Sequence, residues 1–267
     1  MGMTHLLSAE GLVRLRTFVG APALYAFDFD GTLSRIVRER DAARLAPGVR
    51  RWLEALNRLV PTAVISGRSL TDLRRRVGAD IPYLVGNHGL EGADTPPSVA
   101  VHARDICLGW QRQLTGIPSA ELDRVGVSIE DKGYSLTFHY RLSPNKPRAR
   151  QLLFDAVARL TPAPRLILGK AVVNAMPAGV PHKGDAMLAL MRRAGVDRAL
   201  YVGDDDTDED VFALSDERIL SVRVGLKQTS RAPWYVRNQT EVSSLLAALV
   251  EILHPPSSNR VAGSTSA

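Results

Sequence analysis

The segment 23–33 constrains the fold of this chain more than any other stretch of its sequence. An apolar run over 23–27 is followed by Asp28 and Asp30, with Gly31 directly after them. This run predicts a strand over 24–29 that is buried on both faces, as in a parallel sheet covered by helices on either side. Ligands bind at the carboxyl ends of such strands, and buried carboxylates need a partner. Two interpretations follow: a solvated turn, or a carboxylate nucleophile held beside a metal ion.

The residues after this strand alternate between helical and strand patterns. An amphipathic helix is predicted over 47–60, and a second apolar strand begins at residue 62 and stops at a serine and a glycine. Ser69 is a candidate cap for the next helix, with Asp72 three residues on in a looser form of the capping box. A third short strand follows over 81–86. This order predicts a doubly wound α/β domain with a mostly parallel sheet.

The sequence between residues 95 and 177 has a different pattern of apolar and polar side chains. Apolar and polar side chains alternate over 134–141, which predicts a strand with one buried face, and such strands suit an antiparallel sheet. The turn 131–133 joins it to a strand over 125–130 in a hairpin. A second hairpin is predicted around 169–170, and helices are predicted over 104–115 and 148–160. We interpret this region as a small α+β insert.

The alternation of apolar strands and helices returns after residue 177, with apolar strands over 199–203 and 219–224 and a C-terminal helix. The chain is therefore predicted to be a discontinuous α/β core domain interrupted by the insert. The predicted boundaries are 1–94 together with 178–254 for the core, 95–177 for the insert, and 255–267 for a disordered tail. A cleft between the core and the insert is the expected ligand site.

Composition narrows the class of partner. The 267 residues include one cysteine, Cys107, so no internal disulfide is expected and a reducing, cytoplasmic location is favoured. Neither a signal peptide nor a membrane-spanning stretch is predicted. The net charge of +6 suits a nucleic acid or an anionic small molecule. Since the arginine clusters at 35–51 and 74–76 are not interleaved with aromatic side chains, we expect solvated helix faces rather than a nucleic-acid groove.

Four groups of polar residues lie at the ends of predicted strands or at the start of a predicted helix. They are Asp28 with Asp30, Ser66 with Gly67, Lys183, and the acidic run 204–210. Each alone has an ordinary explanation, such as a turn, a surface lysine or an acid-rich helix start. Together they specify a phosphate site, with a nucleophile at a metal ion, hydroxyl and amide donors, one lysine and further carboxylates.

These groups resemble, in the same order, the four motifs of the haloacid dehalogenase superfamily of phosphatases. The matching segments are 28–32, 66–68, Lys183 and 203–205. The insert falls where that superfamily carries its C2-type cap. Within the superfamily, the chain closely resembles trehalose-6-phosphate phosphatases over 87–91, 130–141 and 203–210. The resemblance implies a Mg²⁺-dependent hydrolase that releases trehalose from trehalose 6-phosphate, the last step of trehalose biosynthesis, through an aspartyl-phosphate.

The resemblance also implies a role for each motif residue. Asp28 attacks phosphorus, while Asp30 protonates the leaving sugar oxygen and then accepts a proton from the attacking water. Mg²⁺ is held by the Asp28 carboxylate, the Asp30 backbone carbonyl and the Asp204 carboxylate, with Asp205 and Asp208 supporting them. Which of the last three carboxylates binds the metal directly stays open. The phosphate-binding and substrate-binding residues of the motifs are Ser66, the Gly67 amide, Arg68 and Lys183.

The sugar is expected to lie against the insert. Glu130 and Lys132, near a hairpin tip, are the family's candidate ligands for the sugar hydroxyl groups, and a solvated turn is the alternative. From the core side, the implied contacts are Asn87, His88 and Gly89. His139 and Arg141 lie on the polar face of their strand and are expected to face solvent.

Asn174 departs from the family pattern, because trehalose-6-phosphate phosphatases usually carry a glutamate at this position. An asparagine still donates and accepts hydrogen bonds, but without charge-assisted strength. This departure bears on the exact disaccharide and not on the chemistry, so one alternative is a phosphatase for another sugar phosphate, such as a glycosyl-glycerate or sucrose phosphate. A second alternative, from another class of function, is a catalytically silent sugar-phosphate sensor. The presence of both Asp28 and Asp30 disfavours the sensor. The oligomeric state is not predicted.

Overall fold

A computed structural model of the chain describes residues 2–37, 42–78, 80–92, 94–115, 119–169 and 171–254. Its strands are β1 (Thr4–His5), β2 (Leu24–Phe27), β3 (Thr62–Ile65), β4 (Tyr83–Val85), β5 (Ser128–Asp131), β6 (Leu136–His139), β7 (Arg165–Gly169), β8 (Val172–Met176), β9 (Ala199–Gly203), β10 (Ile219–Val224) and β11 (Trp234–Val236). Its helices are α1 (Ala9–Val19), α2 (Pro47–Leu59), α3 (Leu70–Val77), α4 (Pro97–Leu114), α5 (Ser119–Arg124), α6 (Lys146–Val157), α7 (Lys183–Ala194), α8 (Glu209–Phe212) and α9 (Gln239–Leu253).

Seven strands form a parallel sheet, which we call the core sheet, in the order β1-β11-β10-β9-β2-β3-β4. From β2 the chain winds outward through β3 to β4, and after the insert it returns to β9 on the other side of β2 and winds outward through β10 and β11. The winding direction therefore reverses between β2 and β9. Reversal points of this kind open a crevice at the carboxyl ends of the two strands, and ligands bind there.

Strand β2 is buried on both faces, as its apolar sequence predicts. Tyr25 and Phe27 pack into an apolar cluster on one face with α1, α2, α3 and α9. Leu24 and Ala26 pack into a second cluster on the other face with α7 and α8. The alternation follows from the period of two along a strand. The prediction of a doubly wound, mostly parallel α/β fold is confirmed.

The insert contains a separate antiparallel sheet, the insert sheet, in the order β5-β6-β8-β7. One of its faces packs against α4 and α6 around an apolar cluster that includes Trp110, Phe138 and Leu153. The Trp110 indole is fully buried, and its Nε1 donates a hydrogen bond to the Pro162 carbonyl oxygen (2.7 Å). Because the insert sheet and its cluster lie within residues 95–177, we propose that these boundaries delimit a cap domain.

Several element boundaries differ from those predicted. β2 ends at Phe27 rather than at residue 29, and α4 begins at Pro97, seven residues before its predicted start. Proline is favoured in the first turn of a helix, where its missing N–H is not needed. β1 and β11 were not predicted, because two or three residues are too few to show a period. The predicted tail, 255–267, and Lys170 of the second hairpin lie outside the described residues.

The insert contacts a helix of the core through an ion pair. Arg165, at the start of β7, donates to the Asp210 carboxylate in α8, at the end of the acidic run 204–210. This contact links the insert sheet to α8. Among the described helices, none combines the length and the apolar character needed to cross a membrane.

Candidate active site

The predicted motif residues meet at the carboxyl ends of β2 and β9. A cavity of about 850 Å³ lies there between the core sheet and the insert sheet, within the size range of small-molecule sites. Among the site residues predicted from the sequence, those that line it are Asp28, Asp30, Gly67, Arg68, His88, Glu130, Lys132, Asn174, Lys183 and Asp205. Core and insert thus contribute opposite walls of one cavity.

Lys183 forms the centre of the core wall. It is the first residue of α7, and its ammonium group is fully buried. Its Nζ donates hydrogen bonds to Asp28 Oδ1 (2.6 Å) and to Asp208 Oδ1 (2.6 Å). Tyr201, from the middle of β9, donates its hydroxyl to the same Asp208 oxygen (2.6 Å). A buried charge is tolerated only when it is paired, so this network fixes the position of the Asp28 carboxylate.

The buried carboxylates have strongly altered acidities. Burial raises the pKa of Asp28 well above its usual value, and the neighbouring Asp208 and Asp204 raise it further, while Lys183 opposes them. Burial, Asp208 and Asp205 raise the pKa of Asp204 to about 8. The pKa of Lys183 is raised well above its usual value by Asp208 and Asp28, which outweigh the effect of burial. The site therefore holds more carboxyl groups than one lysine can keep ionised.

Oxygen ligands in this cluster fit a divalent cation. Carboxylate oxygens of Asp28, Asp204 and Asp208 lie within 4.8 Å of one another. A set made only of oxygen donors suits Mg²⁺, and a cation there would favour the ionised carboxylates that burial opposes. Asp208 already accepts hydrogen bonds on both oxygens, from Lys183, Tyr201 and the Asp205 N–H (2.9 Å). This occupancy leaves Asp28 and Asp204 as the better candidates for direct ligands.

Asp204 is placed by its neighbours on three sides. Thr32 Oγ1 donates to its Oδ1 (3.2 Å). Gly31 approaches so closely that a side chain there would clash: a Cβ would lie 2.1 Å from Asp204 Oδ2, and Gly31 has φ of +86°. Only glycine adopts this conformation at little cost. The buried Arg223 guanidinium, from β10, bonds to the backbone carbonyls of Asp204 and Asp205 and so fixes the acidic loop.

Asp30 lies at the cavity with a side chain that is 43% exposed. Both of its carboxylate oxygens accept hydrogen bonds from Arg68, from Nε (2.6 Å) and from Nη2 (2.6 Å). The third nitrogen of the same guanidinium, Nη1, donates to Asp72 Oδ2 (2.8 Å). Arg68 was expected to bind substrate; the structure places it at the cavity but gives it two carboxylate partners.

The second motif is shaped by a close packing contact. A Cβ on Gly67 would lie 2.4 Å from the His88 ring, so the glycine lets His88 reach the cavity wall. Ser66 is buried behind this wall, and its Oγ accepts a hydrogen bond from the Arg68 N–H (3.2 Å). Ser66 is not one of the residues that line the cavity in the described structure. Its expected contact with phosphate stays a prediction.

Asn87 and Gly89, which were expected to contact the sugar, make contacts within their own turn and with the start of α7. The Asn87 side-chain amide donates to Glu91 Oε2 (2.9 Å), which also accepts from the Leu70 N–H (2.6 Å). Gly89 has φ of +124°, and a Cβ there would lie 2.6 Å from the His182 carbonyl oxygen. Neither Asn87 nor Gly89 belongs to the cavity lining in the described structure. They shape the turn that packs against the start of α7.

A row of polar residues crosses the insert sheet at the opposite wall. Glu130, Thr137 and Asn174 pair directly across β5, β6 and β8 and line the cavity, so we call them the polar row. Thr137 Oγ1 donates to Asn174 Oδ1 (2.8 Å). Directly paired residues share a sheet face. The polar face of β6 therefore looks towards the core.

The expectation that His139 faces solvent is wrong in part. Its side chain lies at the cavity, and its Nε2 is 2.9 Å from Glu130 Oε2. Arg141 is exposed, as expected, and also contributes to the rim. A pattern with period two identifies the polar face of a strand, but it does not say whether solvent or another domain covers that face.

Other residues of the site were not predicted. Tyr201 and Arg223 sit in apolar strands, where the sequence pattern shows only a core position. The rim carries two exposed apolar side chains, Ile36 from the core and Leu142 from the insert, the latter 92% exposed. A single sequence does not indicate whether an apolar residue in a loop is exposed.

Comparison with known proteins places the chain in a family. The sequence model described as Trehalose-phosphatase matches residues 26–240. The trehalose-phosphate phosphatase of Mycobacterium avium is 36% identical over 203 residues, which are 72% of this chain and 50% of that protein. That of Mycobacterium tuberculosis is 34% identical over 214 residues, covering 76% and 52%. The chain therefore spans about half the length of these two curated relatives.

The fold matches a solved structure as well. The C-terminal domain of Candida albicans trehalose-6-phosphate phosphatase superimposes with a TM-score of 0.68 at 24% identity, over 93% of this chain and 98% of that one. This likeness concerns the fold alone. On the evidence of the family match and of both relatives, the chain belongs to the trehalose-phosphatase family.

Proposed function

We propose that this chain hydrolyses trehalose 6-phosphate to trehalose and phosphate, with Mg²⁺ and through an aspartyl-phosphate on Asp28. The observation that carries the proposal is the position of Asp28. It lies at the core wall of the cavity, held by Lys183, with Asp30 two residues further along the chain. The polar row of the insert lines the opposite wall. The family and the names of the two relatives support this choice of substrate.

Asp28 and Lys183 act on the phosphoryl group. When bound by Asp28 and Asp204, Mg²⁺ would neutralise charge on the phosphoryl oxygens and on the carboxylates. Lys183 holds Asp28 Oδ1 and so orients the carboxylate for attack by its other oxygen. Its buried positive charge also lies where negative charge develops during transfer. Asp208 and Tyr201 keep the ammonium in place.

Asp30 donates a proton in the first step and accepts one in the second. In the first step one oxygen of Asp30 gives up its hydrogen bond from Arg68 and carries a proton, while the other oxygen keeps its contact. Asp30 gives this proton to the sugar oxygen as the bond from that oxygen to phosphorus breaks and the bond from phosphorus to Asp28 forms. In the second step it takes a proton from water, which attacks phosphorus and releases Asp28. One carboxyl group serves both steps because they run in opposite directions. The exposed fraction of Asp30 gives it access to both a sugar and a water molecule.

The insert would select the sugar. Glu130, Thr137 and Asn174 offer hydrogen-bond donors and acceptors in a row, and Lys132 adds a cation at the hairpin turn. Each hydroxyl of a sugar can pair with such groups, and an unmatched hydroxyl leaves a polar group unpaired at a cost of about 1–3 kcal/mol. Discrimination between sugars therefore depends on this wall, and the chemistry depends on the core wall.

A panel of sugar phosphates tests the substrate. We expect faster phosphate release from trehalose 6-phosphate, as kcat/KM, than from sucrose 6-phosphate, a glycosyl-glycerate phosphate or glucose 6-phosphate. Glu130→Gln should raise KM for trehalose 6-phosphate by about five- to tenfold, since a charge-assisted hydrogen bond contributes about 1.5–3 kcal/mol and the neutral one that Gln can still make about 0.5–1.5 kcal/mol. Lys146→Ala, on the exposed start of α6, is the matched control and should change neither constant. A faster reaction with another member of the panel would reassign the substrate, and no release from any member would favour a sensor.

Substitution of Asp28 tests the nucleophile. Asp28→Asn should lower kcat by about 10³-fold or more, because the amide cannot form the covalent intermediate. The amide oxygen still accepts a hydrogen bond from Lys183, so the melting temperature should show that the fold is retained. Asp206→Asn is the control within the same acidic cluster: Asp206 pairs with Lys227 outside the cavity lining and should leave kcat unchanged. Substantial activity in folded Asp28→Asn would show that another group attacks phosphorus.

Thermal unfolding tests the metal without measuring turnover. Mg²⁺ at 100 times its dissociation constant should stabilise the wild-type protein by about 2.7 kcal/mol, because it binds the folded state only. Asp204→Asn should abolish most of the rise in melting temperature, and Asp206→Asn should retain it. An equal rise in all three proteins would place the ion elsewhere.

A further inference from the structure

A chain of charged contacts connects the cavity to the first turn of α3. Asp30 accepts both hydrogen bonds from one edge of the Arg68 guanidinium, at 2.6 Å each, and Asp72 accepts from the remaining nitrogen at 2.8 Å. Two parallel N–H···O bonds fix both the direction and the plane of a carboxylate. The orientation of Asp30 in this structure is therefore set by Arg68.

Arg68 is itself held rigidly. Its side chain is 2% exposed, and the guanidinium lies over the Phe29 ring with 5.5 Å between the guanidinium carbon and the ring centroid. A long, buried arginine has many rotamers, and its contact with Asp72 fixes the one that reaches Asp30. The guanidinium thus acts as a bridge between two carboxylates rather than as a mobile side chain.

Asp72 fixes the outer end of this bridge and is not itself one of the residues that line the cavity in the described structure. Its carboxylate also accepts from Arg76 Nε (2.7 Å) and Arg75 Nη2 (2.7 Å), and these two arginines together with Arg68 lower its pKa against the effect of burial. Its backbone N–H donates to Ser69 Oγ, the cap of α3. Helix α3 therefore holds Asp72 through the backbone, independently of the carboxylate.

We propose that Asp72 is a positioning residue for the proton transfers of this site, because it holds Arg68 in the rotamer that aims the Asp30 carboxylate. The proposal rests on the proposed function, since it needs Asp30 to act as the acid and the base. It adds a residue of α3 that touches neither substrate nor metal. The sequence suggested only a capping role for Asp72.

The proposal makes a specific kinetic prediction. A sugar alkoxide leaves phosphorus only when it is protonated, so formation of the aspartyl-phosphate from trehalose 6-phosphate requires a correctly placed Asp30. A 4-nitrophenolate leaves without a proton, so formation of the same intermediate from 4-nitrophenyl phosphate does not. Hydrolysis of the intermediate requires Asp30 as a base with either substrate. Misplacement of Asp30 should therefore slow the first step for the sugar phosphate only.

The experiment compares Asp72→Asn with the wild-type chain in the presence of Mg²⁺, by rapid quench and by stopped-flow. Asp72→Asn keeps the size of the side chain and the backbone contact with Ser69. We expect aspartyl-phosphate formation from trehalose 6-phosphate to slow by about 10- to 100-fold, as for other small misplacements of a catalytic group. Formation from 4-nitrophenyl phosphate should stay at the wild-type rate, and a burst of nitrophenolate should then precede slow turnover.

Two controls separate positioning from a general loss of structure. Arg75→Gln removes an exposed partner of Asp72 and should leave both rates unchanged. Arg76→Gln removes a buried partner of the same carboxylate, so it should lower the melting temperature about as much as Asp72→Asn while keeping the wild-type ratio of the two rates. Equal slowing of both substrates in Asp72→Asn, or wild-type rates with both, would overturn the proposal. Failure of the wild-type chain to form an aspartyl-phosphate would instead overturn the proposed function.

Discussion

The buried ammonium group of Lys183 is the contact on which the rest of the site depends. It joins three elements that are far apart in sequence: the end of β2 through Asp28, the acidic loop after β9 through Asp208, and the start of α7. Removing one partner of a buried ion pair typically costs about 3–5 kcal/mol, since the other charge stays buried. The same lysine opposes the repulsion among Asp28, Asp204 and Asp208. The excess of carboxylates over cations is what makes the cluster suitable for a divalent ion.

The core wall and the insert wall of the cavity carry different kinds of side chain. The reversal of winding between β2 and β9 brings the carboxylates together at one edge of the core sheet, and the same edge is covered by the insert sheet. In the proposed mechanism the buried core supplies the fixed charges for phosphoryl transfer, and Glu130, Thr137 and Asn174 supply a row of paired polar groups for the sugar. Arg165 of the insert sheet and Asp210 of α8 form an ion pair between these two parts of the chain. Arg68 and Asp72 extend the fixed part of the core wall into α3.

Much of the core could be predicted from sequence, because its signals are local. The apolar run before Asp28 predicts a strand buried on both faces, and the polar residues at strand ends predict where the site lies. Contacts made across the fold leave no such signal. Tyr201 resembles any core tyrosine, and Asp72 resembles a capping residue, yet the structure gives each a partner in the site. His139 was expected in solvent, because a strand pattern does not report which domain covers its polar face. The phosphate contact of Ser66 stays a prediction.

The covalent step is the central claim, and one measurement tests it most directly. A single turnover of trehalose 6-phosphate by the wild-type chain with Mg²⁺ would be quenched in acid, digested and mapped by mass spectrometry. The mechanism predicts a transient phosphoryl group on the peptide that contains Asp28, which forms and decays at the rate of phosphate release. Phosphate release with no phosphorylated peptide at any time during the turnover, or with the phosphoryl group on another residue, would contradict it.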